Sequence, residues 1–93
     1  MKTITVTLTD EMDIYHDDIS KFLDLMVHKL HKNVHKGRWE NTKADAAFML
    51  LRTEVKELMT AILENNRDEA YLECADVANF AMIIASIMRE RGI

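Results

Sequence analysis

Four acids, Glu54, Glu57, Glu73 and Asp76, fall into two pairs, each with three-residue spacing. Residues three apart share one face of a helix. Both pairs lie in segments that otherwise read as apolar helices. Carboxylates on a packed apolar surface are costly unless something positive sits among them. Two such pairs on neighbouring helices could supply several oxygens to one hard divalent cation. Mg2+ suits this donor set, because it takes oxygen ligands octahedrally and keeps waters and substrate phosphates in its shell. A metal held there could orient a phosphate, offset its charge and activate a water. A carboxylate not fully engaged by metal could act as general base. The plainer reading of any one pair is a solvated helix face. A di-iron centre built on helices wants Glu-x-x-His, and no glutamate here has a histidine three residues later.

Three predicted helices must position these acids. Ile19, Phe22, Leu23, Met26, Val27, Leu30 and Val34 recur at three-four spacing, which predicts a helix over about 12–34 with Gly37 as its stop. Thr42, with Asp45 three residues on, reads as the cap of a second helix over about 42–64. Asn65-Asn66-Arg67 reads as a turn, and Asp68 as the cap of a third helix over about 68–90. In projection at about 100° per residue, Ala47, Phe48, Leu51, Val55, Leu58, Met59 and Ile62 form the apolar arc of the second helix. Glu54 borders that arc and Glu57 lies about 60° further round. From Val77 to Met88 the only polar residues are Asn79 and Ser86, so the third helix should be central or covered by a second subunit. Glu73 projects near Phe80 and Ile84, Asp76 projects near Ile83 and Ile87, and Asn79 continues the same track. Residues 3–9 alternate threonine with Ile4, Val6 and Leu8. One strand cannot make a sheet, so residues 1–10 read as an extended arm, either paired across a subunit interface or frayed.

Ninety-three residues make one small domain, and 48% apolar residues are generous for that size. The absence of proline and the presence of only two glycines argue against a sandwich or barrel. The expected fold is all-α: an antiparallel helix bundle completed by oligomerisation, with a short extended N-terminal arm. A net charge of −4 argues against a nucleic-acid polymer as partner. A single cysteine, Cys74, excludes an intrachain disulfide and fits a reducing compartment; it reads as a small buried apolar residue. The charge-free run Val77–Met88 is only twelve residues long, and the N-terminus lacks a signal-peptide core. These features predict a soluble cytoplasmic protein with no membrane partner.

Other residues have chemistry to offer. Lys32, Lys36 and Arg38 could neutralise phosphate oxygens, with Arg89 and Arg91 as weaker candidates. Trp39 could stack on a nucleobase or plug the end of the bundle. Asn79 could hydrogen-bond a base or sugar edge. His28, His31 and His35 have spacing that could bind zinc, but on a lysine-rich face they read first as solvated.

Glu54-x-x-Glu57, fifteen intervening residues, then Glu73-x-x-Asp76 resembles the signature of the MazG-like all-α nucleoside triphosphate pyrophosphohydrolases. Leu51–Leu58 and Glu73–Phe80 are similar to the two core helices of that family, and His35-Lys-Gly-Arg-Trp39 to the segment before the first motif helix in its compact branch. The resemblance covers about 35–88. It implies a homodimer or homotetramer that hydrolyses a small-molecule (deoxy)nucleoside triphosphate to monophosphate and pyrophosphate with Mg2+, for which Mn2+ can substitute. By the same resemblance Glu54, Glu57, Glu73 and Asp76 would hold the metal, and Glu54 or Glu57 would also position the attacking water. The family often has two adjacent acids at the first motif; here Thr53 precedes Glu54. The contrasting expectation is a non-catalytic helical module for oligomerisation or partner binding, with a residual metal site.

Overall fold

A computed structural model gives the arrangement of the chain and describes residues 1–92. The fold is all-α. Three helices follow in order, α1 (His16–Lys32), α2 (Ala44–Leu63) and α3 (Arg67–Glu90), and no strand occurs among the described residues. Helix α3 lies in the middle and packs against both others, whose backbones do not come close to each other. Lys29 meets Asp76 and Met26 meets Asn79, so α1 runs antiparallel to α3.

Two asparagines build the turn that reverses α2 into α3. Asn65 adopts a left-handed conformation (φ 54°). The Asn66 amide donates to the Ala61 carbonyl (2.9 Å) and the Asn65 amide to Ile62 (3.1 Å). This is the pattern that closes a helix when a small or polar residue can take positive φ. Asn66 then starts α3, its side chain accepting from the Glu69 amide (3.2 Å). Asp68, expected to be that cap, lies inside the first turn. Thr42 does not cap α2 either. Lys43 holds the cap position without a side-chain bond, and the Asp45 side chain accepts from the next amide, that of Ala46.

Helix α1 is shorter than its periodicity predicts. Residues Asp10–Tyr15 form a tighter 3-10 turn, a common way for an α-helix to begin. At the other end the Asn33 side chain donates back to the Lys29 carbonyl (3.2 Å), which stops the helix. A short 3-10 turn, Val34–Lys36, follows, and Gly37 (φ 75°) ends it. Residues 1–9 form neither helix nor strand, and Ile4 stands 85% exposed.

The line of contact along α2 differs from the projected arc. It runs through Ala47, Leu51, Glu54, Leu58 and Ala61, at spacings of four, three, four and three. The alanines Ala47, Ala61 and Ala75 are buried, and their small side chains let α2 and α3 approach closely. Glu54 therefore sits within the contact stripe, not at its edge. The larger residues of the projected arc, Phe48, Val55, Met59 and Ile62, are about half exposed. Among the described residues Ile87 is the one large side chain wholly buried. By length and composition alone α3 is long and apolar enough to cross a membrane. The twelve-residue run fills the C-terminal half of this 24-residue helix, whose first ten residues carry Arg67, Asp68, Glu69, Glu73 and Asp76.

Candidate metal centre and adjoining cavity

Glu54 and Glu57 face Glu73 across the α2–α3 contact. One carboxylate oxygen from each lies within 4.8 Å of the other two. Glu73 is buried, Glu54 half-buried and Glu57 exposed. The Oε2 atoms of Glu54 and Glu73 are both buried without a hydrogen-bond partner. Like charges that close repel by about 3 kcal/mol at an effective dielectric near 20. The fold tolerates this by keeping protons on the group. Burial, then the neighbouring Glu54 and Glu69 carboxyls, pushes the Glu73 carboxyl up to about 8. Burial raises Glu54 as well, aided by Glu57 and Asp76. Three convergent carboxylates with two orphaned oxygens fit a hard divalent cation such as Mg2+ or Mn2+.

Asp76 falls outside this closest set but near enough to raise both Glu54 and Glu73. Its Oδ2 pairs with Lys29 Nζ at 3.2 Å, with both side chains mostly buried. Among the described residues no cluster of three metal-ligating side chains includes His28, His31 or His35.

A cavity of about 780 Å3 opens beside the acids, between α1, α3 and the segment joining α1 to α2. That size is ordinary for a small-molecule site. Glu54 and Asp76 form its acidic edge, and Lys29, Lys36, Arg38, Trp39 and Asn79 line it with Phe80 and Ile83. Four of the five residues expected to bind substrate are therefore brought together. The exception is Lys32, which is exposed and not in the lining. Lys29, one turn earlier, takes its place. The sequence carried a signal for it: Leu25, Lys29 and Asn33 are spaced by four along one face of α1, and Leu25 is the buried residue of that helix.

Asn79 is 6% exposed. Its Nδ2 donates to the Met26 carbonyl (3.1 Å), which fixes the amide and leaves Oδ1 buried and unpartnered. The Trp39 Nε1 donor is likewise buried and unpartnered. Arg38 lies 4.8 Å over the Trp39 ring and donates to Glu90 (2.5 Å), whose carboxyl it holds below the ordinary value. Arg91, considered above for phosphate, is already engaged. Its guanidinium donates to the carbonyls of Thr42 (2.7 Å), Trp39 (3.3 Å) and Glu40. Arg89 is exposed and approaches only Glu90, at 3.6 Å. Comparison with protein-family models, curated proteins and solved structures finds no match to this chain.

Proposed function

We propose that the chain is a Mg2+-dependent hydrolase of nucleoside triphosphates, cleaving a (deoxy)nucleoside triphosphate to the monophosphate and pyrophosphate. The observation that carries this reading is the position of Glu54. One side chain belongs both to the three-carboxylate group and to the wall of a cavity lined by cations, a fixed amide and the single tryptophan. A cation on the acids would therefore share an edge with whatever fills the cavity.

Glu54, Glu57 and Glu73 would hold Mg2+, or Mn2+ in its place. The bound ion supplies charge compensation for phosphate and a more acidic water. Lys29 and Lys36 would supply positive charge on the cavity side, and Asp76 serves by holding Lys29 there. Glu54, whose Oε2 is buried without a partner, would accept the proton of the attacking water. The water oxygen bonds to the α-phosphorus, the bond from that phosphorus to its bridging oxygen breaks, and pyrophosphate leaves with the electron pair. Trp39 and Asn79 are placed to contact the nucleoside. We read the enzyme as a cytoplasmic homodimer or homotetramer, and α3 as a core helix.

Pyrophosphate release measured across a panel of nucleoside triphosphates with Mg2+ tests the reading. Glu54→Gln should lower turnover by roughly 100-fold or more with helical content unchanged. One observation favours a second reading: the half-exposed apolar row on α2 would suit a non-catalytic oligomerisation or partner-binding module. No turnover with any nucleotide, at Mg2+ concentrations that saturate binding, would decide for that module.

A further inference from the structure

Within the segment between α1 and α2, the stretch 38–42 gives the cavity three of its lining residues, Arg38, Trp39 and Thr42. It does little to hold its own shape. Within 38–42 a single backbone hydrogen bond is formed, from the Thr42 amide to the Trp39 carbonyl (3.1 Å). The remaining order comes from the end of α3. Arg91 directs its guanidinium at three carbonyls of this turn, those of Trp39, Glu40 and Thr42. Its neighbour Glu90 accepts from Arg38, which in turn covers the Trp39 ring. A guanidinium presents five donors in a rigid fork, and such bonds are stronger than neutral ones. The exposed carbonyls could be solvated as well by water, so their capture by one side chain fixes geometry rather than satisfying burial.

We propose that Arg91 is a positioning residue: by gathering the carbonyls of Trp39, Glu40 and Thr42 it folds this turn into a wall of the cavity and sets where Trp39 stands. Arg91 touches no part of the cavity lining except through the turn. Helix α3 carries Glu73 and Asn79 as well, so one rigid element spaces the acids, the amide and the Trp39 wall. Arg91 shapes the turn whatever the cavity binds, while its effect on nucleotide affinity rests on the function proposed above.

Trp39 is the one tryptophan, so its fluorescence reports the turn directly. In ligand-free protein, Arg91→Ala should shift Trp39 emission to the red and raise its acrylamide quenching constant about twofold, as the ring gains access to water. Helical content by circular dichroism and the midpoint of a Mg2+ titration should stay as in the parent. Arg91→Lys keeps the charge but loses the fork, and should resemble Arg91→Ala. Glu90→Gln, which loosens Arg38 while leaving Arg91 in place, should give a smaller shift. With a nucleoside triphosphate and Mg2+, Arg91→Ala should raise KM about tenfold, consistent with the loss of charged hydrogen bonds, and leave kcat within about twofold. Unchanged emission and quenching in both Arg91 variants would overturn the proposal. If the parent protein turns over no nucleotide, the functional reading fails, and the fluorescence still decides the role of Arg91.

Discussion

Glu73 is buried, and its carboxyl meets other carboxyls rather than a cation. The consequence for stability has a definite sign. Its folded value, about 8, lies above the ordinary 4.5. Between those values the native protein binds more protons at this group than the unfolded chain does. Stability from this group is therefore fully present below the lower value and lost as pH rises through the upper one, with a limiting slope of about 1.4 kcal/mol per pH unit. Urea unfolding of metal-free protein at pH 5 and pH 8 should show the more alkaline sample to be weaker, and Mg2+ should reduce the difference. Glu73→Gln removes the charge and keeps the shape. It should raise the metal-free Tm at pH 8 by roughly 4–8 °C per kcal/mol relieved, change it little at pH 5, and abolish stabilisation by Mg2+. A variant that instead lost stability at both pH values would mark Glu73 as a structural hydrogen-bonding group.

At the scale of the elements, the α2–α3 hairpin depends on two adjacent asparagines with different tasks. Asn66→Ala removes the α3 cap and should destabilise by about 1 kcal/mol. Asn65→Gly fits the left-handed backbone and should be neutral or stabilising, while Asn65→Ala should destabilise by about 1 kcal/mol. Urea midpoints for the three variants check this ordering. The elements themselves were legible in the sequence, since three-four spacing and the Asn65-Asn66 turn placed all three helices. Cap identities were less so, because Thr42, Asp45, Asp68 and Asn66 all have suitable side chains and only backbone direction selects among them. The acids Glu54, Glu57 and Glu73 were readable from their spacing. The pairing of Asp76 with Lys29 was not, because it depends on how α1 docks against α3. The role of Arg91 was hidden for the same reason: its partners are carbonyls about fifty residues away in the chain, and a carbonyl has no sequence signature.

For the whole molecule, the balance of surface is unusual. The chain exposes 7608 Å2, whereas a folded monomer of this mass exposes about 5,500 Å2 by size scaling. Residues 1–9 account for part of the excess. Apolar side chains add to it, among them the half-exposed Phe48, Val55, Met59 and Ile62, which form a row at heptad-like spacing along α2. A row of that kind suits packing against another helix. The expected outcome is an oligomer by light scattering at micromolar concentration, with Met59→Glu shifting it toward monomer. A monomeric parent protein would contradict the bundle completed by a second copy.

The central place of α3 also has a consequence for local unfolding. Helix α1 docks on α3 alone, so it can detach without disrupting the α2–α3 hairpin, and such units open with less free energy than the whole fold. The three glutamates sit on α2 and α3, whereas Lys29 and Asn33 of the cavity sit on α1 or at its end. Mg2+ alone should therefore slow amide hydrogen exchange in α2 and α3 and leave α1 nearly as before. A nucleotide filling the cavity should slow exchange in α1 as well, so the exchange pattern distinguishes occupancy of the metal site from occupancy of the cavity without measuring turnover.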